Sequence, residues 1–220
     1  MKKRPYLIGL CGGSGSGKSW LSVFLREALG HKAVIVCQDW YYHDNAGLSA
    51  EESNRLNFDH PSAIETPLFY RQMRRLLSGE SIEAPSYHYA THSRLPQTRL
   101  VEPKPIVIVE GLFVLHDKKV RDLFDLTVYI DVPDDERLLR RIRRDVEHRR
   151  VDLEETLRLY EHCVRPMHRK YILPSAAYAD MRWDQFKEPS FPRKMLATVR
   201  AELRGTRIRR TKQPKARRRR

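Results

Sequence analysis

An α/β fold, with a parallel β-sheet flanked by helices, follows from three observations on this 220-residue chain. Apolar runs of strand length recur at 6–10 ("YLIGL"), 33–37 ("AVIVC"), 106–110 ("IVIVE") and 126–132 ("LTVYIDV"). Segments with helical periodicity lie between them. Runs apolar on both faces and joined by helical crossovers are what a sheet buried on both sides requires. The length suits one domain with a core large enough to need neither disulfide nor metal.

Each element has a local reason. After the first strand, Leu21, Phe24, Leu25, Ala28 and Leu29 fall on one helical face, and Gly30 stops the helix. Thr66 reads as an N-cap and Pro67 as a first-turn proline, opening a helix that runs to about Gly79. The stretch 81–101, containing "APSYHYATHSRLPQ", breaks the rhythm and reads as an inserted β-hairpin or loop. Asp117 to Phe124 is a shorter helix candidate, and 134–148 and 152–170 are helical and densely charged. From Lys187 the pattern dissolves into "KEPSFPRK", one short helix and a basic tail. The expected organisation is one domain over 1–203 followed by a disordered tail over 204–220.

The net charge of +14 is unevenly placed. Residues 204–220 hold ten Lys or Arg and no acid, leaving +4 for 1–203 (32 basic against 28 acidic side chains). Such tails attract phosphate backbones without sequence preference, so a nucleic acid is one candidate partner, and a passive solubilising end is the blander reading. Cys11, Cys37 and Cys163 have neither zinc-ligand spacing nor a disulfide framework and read as small thiols in a reducing compartment. The opening "MKKRPYLIGLCGG" places basic residues before an apolar run, but Tyr6 to Cys11 is shorter than the ~7–15 residues of a signal peptide core. No run approaches the about 20 apolar residues of a membrane span. A cytoplasmic protein without membrane contact is expected.

The segment Gly12-Gly13-Ser14-Gly15-Ser16-Gly17-Lys18-Ser19 satisfies G-x-x-x-x-G-K-[ST], with a strand before it and an amphipathic helix after it. The glycines let successive N–H groups turn inward, and the helix N-terminus adds positive potential toward phosphate. Lys18 would reach the outer phosphates and the Ser19 hydroxyl would ligate magnesium. A Gly/Ser-rich turn that matches by chance is outweighed by the strand-loop-helix context. Glu110 closes the run "IVIVE" at a strand's C-terminal edge. It could be an ordinary strand-end charge, but a carboxylate after four apolar residues is costly unless it is paired or binds metal. These residues specify a nucleoside triphosphate site with Mg2+, on a P-loop fold.

No guanine-selecting N-K-x-D motif and no helicase-type second motif is present. Instead, arginines crowd behind the fourth strand: Arg137, Arg140, Arg141, Arg143, Arg144, Arg149 and Arg150. Positions 137, 140, 141 and 144 share a helical face. A charge run is usually a solvated face. Here a lid over about 134–152, closing part of this set over the moving phosphoryl group, is the favoured reading.

"NFDHPSA" (57–63), "PSYHYATHSR" (85–94), "LVEPKPIVIVEG" (100–111), "RRIRRDVEHR" (140–149) and "YEHCVRPMHRKYILPSAAYAD" (160–180) together resemble the uridine kinase (uridine–cytidine kinase) family, in order, from Tyr6 to Asp180. The resemblance implies ATP- or GTP-dependent phosphorylation of the 5′-hydroxyl of uridine or cytidine. It implies Asp39, in "QDWYYHD", as the base facing that hydroxyl, and Tyr42 as an aromatic beside the nucleoside; Trp40 and Tyr41 receive no role. Asp59 could accept two hydrogen bonds from a ribose cis-diol, although a turn-forming Asp before Pro61 is the simpler alternative. Tyr87 and His92 would read the pyrimidine edge, with Phe58 and Tyr89 supplying ring contact. Arg141, Arg144 and Arg149 match lid and substrate arginines, Arg144 and Arg149 acting on the transferred group with Lys18. Family members are often oligomers, commonly tetramers.

Three departures stand out. Where the family runs Arg-Gly-Arg-Asp, this chain has Arg149-Arg150-Val151-Asp152; Leu159 replaces a frequent Gln; and "MRWDQFKEP" replaces the segment that usually follows Tyr-Ala-Asp. The competing readings are a related P-loop kinase acting on another alcohol (phosphoribulokinase, pantothenate kinase or nicotinamide riboside kinase) and a nucleic-acid-binding ATPase that uses the basic tail.

Overall fold

The computed structural model describes residues 4–48, 52, 56–89 and 91–205. Five strands, β1 (Tyr6–Cys11), β2 (Ala33–Cys37), β5 (Ile106–Gly111), β6 (Leu126–Asp131) and β7 (Met181–Asp184), form one sheet in the order β2-β5-β1-β6-β7, every neighbour parallel. β3 (Ile82–His88) and β4 (Ser93–Val101) make a separate antiparallel hairpin, where the sequence breaks its alternation. The helices are α1 (Lys18–Leu29), α2 (Thr66–Leu77), α3 (Lys118–Arg121), α4 (Asp134–Arg143), α5 (Leu153–Leu159) and α6 (Phe191–Leu203).

The pleat divides the core in two. Along β1, Leu7 and Cys11 face a cluster with Phe69, Met73 and Leu76 of α2, while Ile8 and Leu10 face Leu21, Leu25 and Leu29 of α1 with Met195 and Val199 of α6. Each fully buried Leu or Ile contributes about 1.5–3 kcal/mol. α1 ends as its sequence suggests: Gly30 takes φ 59 and its N–H reaches the carbonyls of Arg26 and Glu27.

Two readings change. Thr66 is not the N-cap of α2 but its first residue; Glu65 holds the cap position without a side-chain cap bond. Glu65 is engaged elsewhere, its carboxylate pairing with Arg94 at 2.7 Å and its N–H donating to the Tyr41 carbonyl. The Thr66 hydroxyl turns back to the Ile64 carbonyl. The second change is β7, which periodicity did not reveal: four residues, two of them charged, carry too little pattern. Trp183 anchors it, buried and stacked on Phe191 at 5.3 Å. The replaced segment "MRWD" therefore adds an edge strand.

Behind α4, a π-helical turn spans Arg144–His148. α5 continues as one helical run to Ser175, with π-helical segments Tyr160–Val164 and His168–Ile172 lying just ahead of Pro166 and Pro174. A proline has no N–H to donate and crowds the carbonyl one turn back, and a widened turn relieves both. Cys11 is buried, whereas Cys37 and Cys163 are only half-buried; all three are free. No described helix is long and apolar enough to cross a membrane. Arg204 and Gly205 close α6, and the rest of the basic tail lies outside the described residues.

Arg150 occupies the position where the resembled family carries Gly, and it keeps a left-handed backbone, φ 55. A Cβ there costs about 1–2 kcal/mol, partly offset because Gly is more flexible when unfolded. Arg150→Gly is expected to stabilise the protein by about 0.5–1 kcal/mol, read as a rise in thermal midpoint of roughly 1–4 °C. An unchanged midpoint would show that the lid turn carries no strain.

Candidate active site

The C-terminal edge of the sheet assembles the phosphate site. β1 runs into the glycine loop, and β5 on one side ends at Glu110 and Gly111, in register with Leu10 and Cys11. β2 ends at Cys37, opposite Glu110, and turns through Gln38–Tyr41. Glu110 shares the parity of Ile106 and Ile108, which face α1. Its carboxylate therefore meets the first turn of that helix, where Ser19 Oγ donates to Glu110 Oε1 at 3.0 Å. Behind the turn, Gln38 Oε1 accepts from the Phe113 N–H at 2.8 Å, and its side chain fills the space beside Gly111.

Lys18 is buried, its Nζ donating to the Gly12 and Gly13 carbonyls at 3.0 and 3.1 Å. Ser16 Oγ is wholly buried with no hydrogen-bond partner among the described residues. An orphan hydroxyl, a buried ammonium and the N-terminus of α1 suit a polyphosphate. Ser19 and Glu110 are hard oxygen donors of the kind Mg2+ takes, and two protein ligands suffice where phosphates and waters complete the shell. Among the described residues no cluster of three or more His, Cys, Asp or Glu could hold a metal by itself.

Gly15 cannot bear a side chain. It has φ 79, and a Cβ would lie 2.5 Å from the Arg137 carbonyl oxygen. Gly15→Ala is expected to weaken donor-nucleotide binding at least about tenfold, since left-handed strain and a backbone clash each cost on the order of 1 kcal/mol or more. Calorimetric titration with a nucleoside triphosphate checks this; unchanged affinity would mean the loop shifts without cost.

Asp39 is half-buried beside the loop. Burial pushes its carboxyl up to about 6, the Glu110 charge adds to the rise, and Lys18 and Arg149 pull against it. Asp59 is buried and also raised, by desolvation, with Arg141 and Arg144 opposing. Around these acids lies an aromatic cluster. Tyr42 packs edge-on against Phe58 at 5.3 Å and tilts against Tyr87 at 5.3 Å. Phe58 stacks on His92 at 4.5 Å, and Tyr87 meets Tyr89 at 5.5 Å. The Tyr87 hydroxyl is buried, with Asn45 as its polar neighbour. A cavity of about 400 Å³ adjoins this cluster, sharing Phe58 and lined also by His43, Asn57, His60 and Met167.

Of the other two rings in "QDWYYHD", Tyr41 is core, packed on Phe69 with its hydroxyl donating to Gln72 at 2.6 Å. Trp40 lies under the guanidinium of Arg99 on the hairpin. Arg94, which sequence reasoning passed over, fastens the hairpin to this turn by donating to the carbonyls of Tyr41 and Tyr42 and pairing with Glu65.

The four arginines sharing one helical face all reach the loop. Arg137 and Arg140 approach the Ser14 and Gly15 carbonyls, and Arg141 and Arg144 donate to Ser14 Oγ at 3.3 and 3.5 Å. Arg137 is buried, pairing with Asp134 and touching His168, whose imidazole burial and the adjacent Arg137 push down to about 4. Arg149 lies over the Tyr89 ring at 5.3 Å. Arg143 and Arg150 are exposed. Three further residues escaped sequence reasoning. Asp145 is buried among arginines; His168 sits against the loop; and Gln185 donates to the Ser16 carbonyl at 2.7 Å while accepting from Arg140 at 2.8 Å. Only the "RRIRRD" run hinted at Asp145.

Comparison with known proteins matches the chain over residues 7–188 to the family described as "Phosphoribulokinase / Uridine kinase family". The chain belongs to the phosphoribulokinase / uridine kinase family. Curated members named uridine kinase include one from Ligilactobacillus salivarius, 40% identical over 82% of this chain and 85% of that protein. Another, from Clostridium tetani, is 41% identical over 82% of this chain and 87% of that protein. Among solved structures, phosphoribulokinase from Rhodobacter spheroides superposes with a TM-score of 0.58 at 18% identity, covering 83% of this chain and 70% of that one. D-glycerate 3-kinase from Cryptococcus neoformans does so with 0.60 at 14%, covering 79% and 80%. The structural likenesses show the P-loop kinase fold, and the sequence likenesses show the family. Family membership makes the chain a kinase with a nucleotide phosphoryl donor.

Proposed function

We propose that this kinase transfers the γ-phosphoryl group of ATP or GTP to the 5′-hydroxyl of uridine or cytidine, giving UMP or CMP. The observation that carries the reading is the convergence of Asp39, beside the phosphate loop, with Asp59 and the Phe58–Tyr87–His92 cluster. A carboxylate for the hydroxyl, a second for the ribose diol and ring faces for the base are the three things a ribonucleoside acceptor needs.

The chemistry is positioning and charge neutralisation. Ser19 and Glu110 would hold magnesium, which would supply charge compensation for the donor's phosphates. Lys18 and the loop N–H groups hold the donor's phosphate oxygens, and Arg144 and Arg149 take up charge as the phosphoryl group moves. Asp39 orients the 5′-hydroxyl and accepts its proton late in a loose transition state. Asp59 grips the 2′- and 3′-hydroxyls, Arg141 supports it, and Tyr42, Phe58, Tyr87 and His92 hold the pyrimidine.

The test is a product assay with uridine, cytidine and 2′-deoxyuridine, with ATP or GTP as donor. Turnover of the two ribonucleosides, with 2′-deoxyuridine far slower, is the expected outcome. Preferential phosphorylation of ribulose 5-phosphate, pantothenate or nicotinamide riboside would overturn the acceptor. ATPase activity stimulated by RNA without nucleoside turnover would overturn the reaction.

A further inference from the structure

We propose that Asp145 is a positioning residue whose buried carboxylate gathers Arg141, Arg144 and Arg149 into one fan joining the donor loop to the acceptor side. Its side chain is 5% exposed and meets Arg144 Nε at 2.8 Å, Arg141 Nε at 3.1 Å and Arg149 Nη1 at 3.6 Å. Residues 141, 145 and 149 form one i, i+4 stripe. The stripe crosses the π-helical turn Arg144–His148, and the Val151 N–H fixes the Asp145 carbonyl at 2.9 Å.

The far ends of the three guanidiniums go to different places. Arg141 and Arg144 reach Ser14 Oγ in the phosphate loop. Arg149 covers Tyr89 and lies close enough to Asp39 to oppose the rise of its pKa. Three like charges around one side chain repel, and the single carboxylate among them compensates one, leaving two to meet phosphoryl charge. The other carboxylate that Arg141 and Arg144 act on is Asp59. Without the Asp145 charge Arg141 and Arg144 are drawn onto Asp59, so the transferred group loses its cations and the Asp59 oxygens are taken from the ribose diol. Arg144 and Arg149 are 35% and 43% exposed, so their pairs add little stability. The effect is on geometry, where a misplacement of about 1 Å can cost on the order of 100-fold in rate.

The proposal rests on the nucleoside kinase reading and is tested in one kinetic series. Asp145→Asn keeps the side-chain shape and removes the charge. It is expected to lower kcat for uridine about fiftyfold with donor KM within about threefold, while Asp145→Glu, which keeps the charge, loses about fivefold. In an Arg144→Met background the Asn substitution should cost less than about fivefold, because it acts through that arginine. A kcat for Asp145→Asn close to wild type, or an equal loss in both backgrounds, would overturn the positioning role. If circular dichroism shows the Asn variant unfolded, Asp145→Ser, which also removes the charge, decides, and full activity of that variant overturns the role. Wild-type protein inactive on every nucleoside would overturn the kinase reading and this one with it. An active wild type with an unaffected Asn variant removes the positioning role alone.

Discussion

Asp39→Asn is expected to lower kcat by about 1,000-fold while leaving donor-nucleotide affinity within about twofold, since a positioned general base contributes roughly 10²–10⁴. In the proposed reaction the residue serves the acceptor and not the donor: it lies on the turn after β2, whereas the phosphates would be held by the loop after β1 and by α1. The substitution is isosteric, so the site keeps its shape and loses a proton acceptor. The pH dependence provides the sharper signature. Burial and the Glu110 charge place the Asp39 carboxyl at about 6, and the working form of a base is the ionised one. Activity should therefore be flat above that value and fall about tenfold per pH unit below it, a limb that the Asn variant lacks. An Asn variant retaining more than about a tenth of wild-type kcat would place the base elsewhere.

The second large effect belongs to Asp59. Asp59→Ala should reduce kcat/KM for uridine by about 100- to 1,000-fold and for 2′-deoxyuridine by tenfold or less, so that discrimination between them collapses. A buried carboxylate facing a diol loses a charge-assisted bond when one hydroxyl is missing, and a site without the carboxylate has nothing left to lose. Asp59 has the surroundings for this: it is buried, its own N–H donates to Asn57 Oδ1 at 3.0 Å, and Arg141 and Arg144 offset the cost of its charge. Paired kcat/KM values for the two nucleosides decide it. A ratio preserved in the Ala variant would mean that Asp59 shapes a turn and that the sugar is read elsewhere.

What the sequence revealed, and what it hid, follows from the range over which each signal acts. The four long strands announce themselves because burial on both faces forces unbroken apolar runs, and the phosphate loop because only a fixed order of glycines, Lys18 and Ser19 builds it. The pairing of Ser19 with Glu110 was legible through strand-end position, although the residues are 91 apart. β7 stayed hidden because an edge strand buries little, and its single apolar anchor, Trp183, finds Phe191 only in three dimensions. The Thr66 cap failed for a related reason: Arg94, from the hairpin, recruits Glu65 and so settles where α2 begins. Gln185 looks like an ordinary surface residue in the sequence, and its contacts with Arg140 and the Ser16 carbonyl are made only when the chain folds back; the arginines around Asp145 are its sequence neighbours, and what the sequence hid there is the burial of the carboxylate. Local rules locate phosphate chemistry; the parts that orient it come from distant packing.

Arg137 has a mechanical consequence. Its guanidinium occupies the place where a Cβ on Gly13 would stand, 2.4 Å from Nη1, and it belongs to the first turn of α4. Swinging α4 outward as a rigid rod would pull this buried cation away from the Ser14 carbonyl and from His168, while Asp134, on the same helix, would travel with it. The base of the proposed lid is thus riveted to the phosphate loop, and the pivot for any opening would lie beyond it, toward the π-helical turn. On that reading donor loading and release would need only the outer arginines to lift, with the floor beneath the phosphates keeping its shape from one turnover to the next.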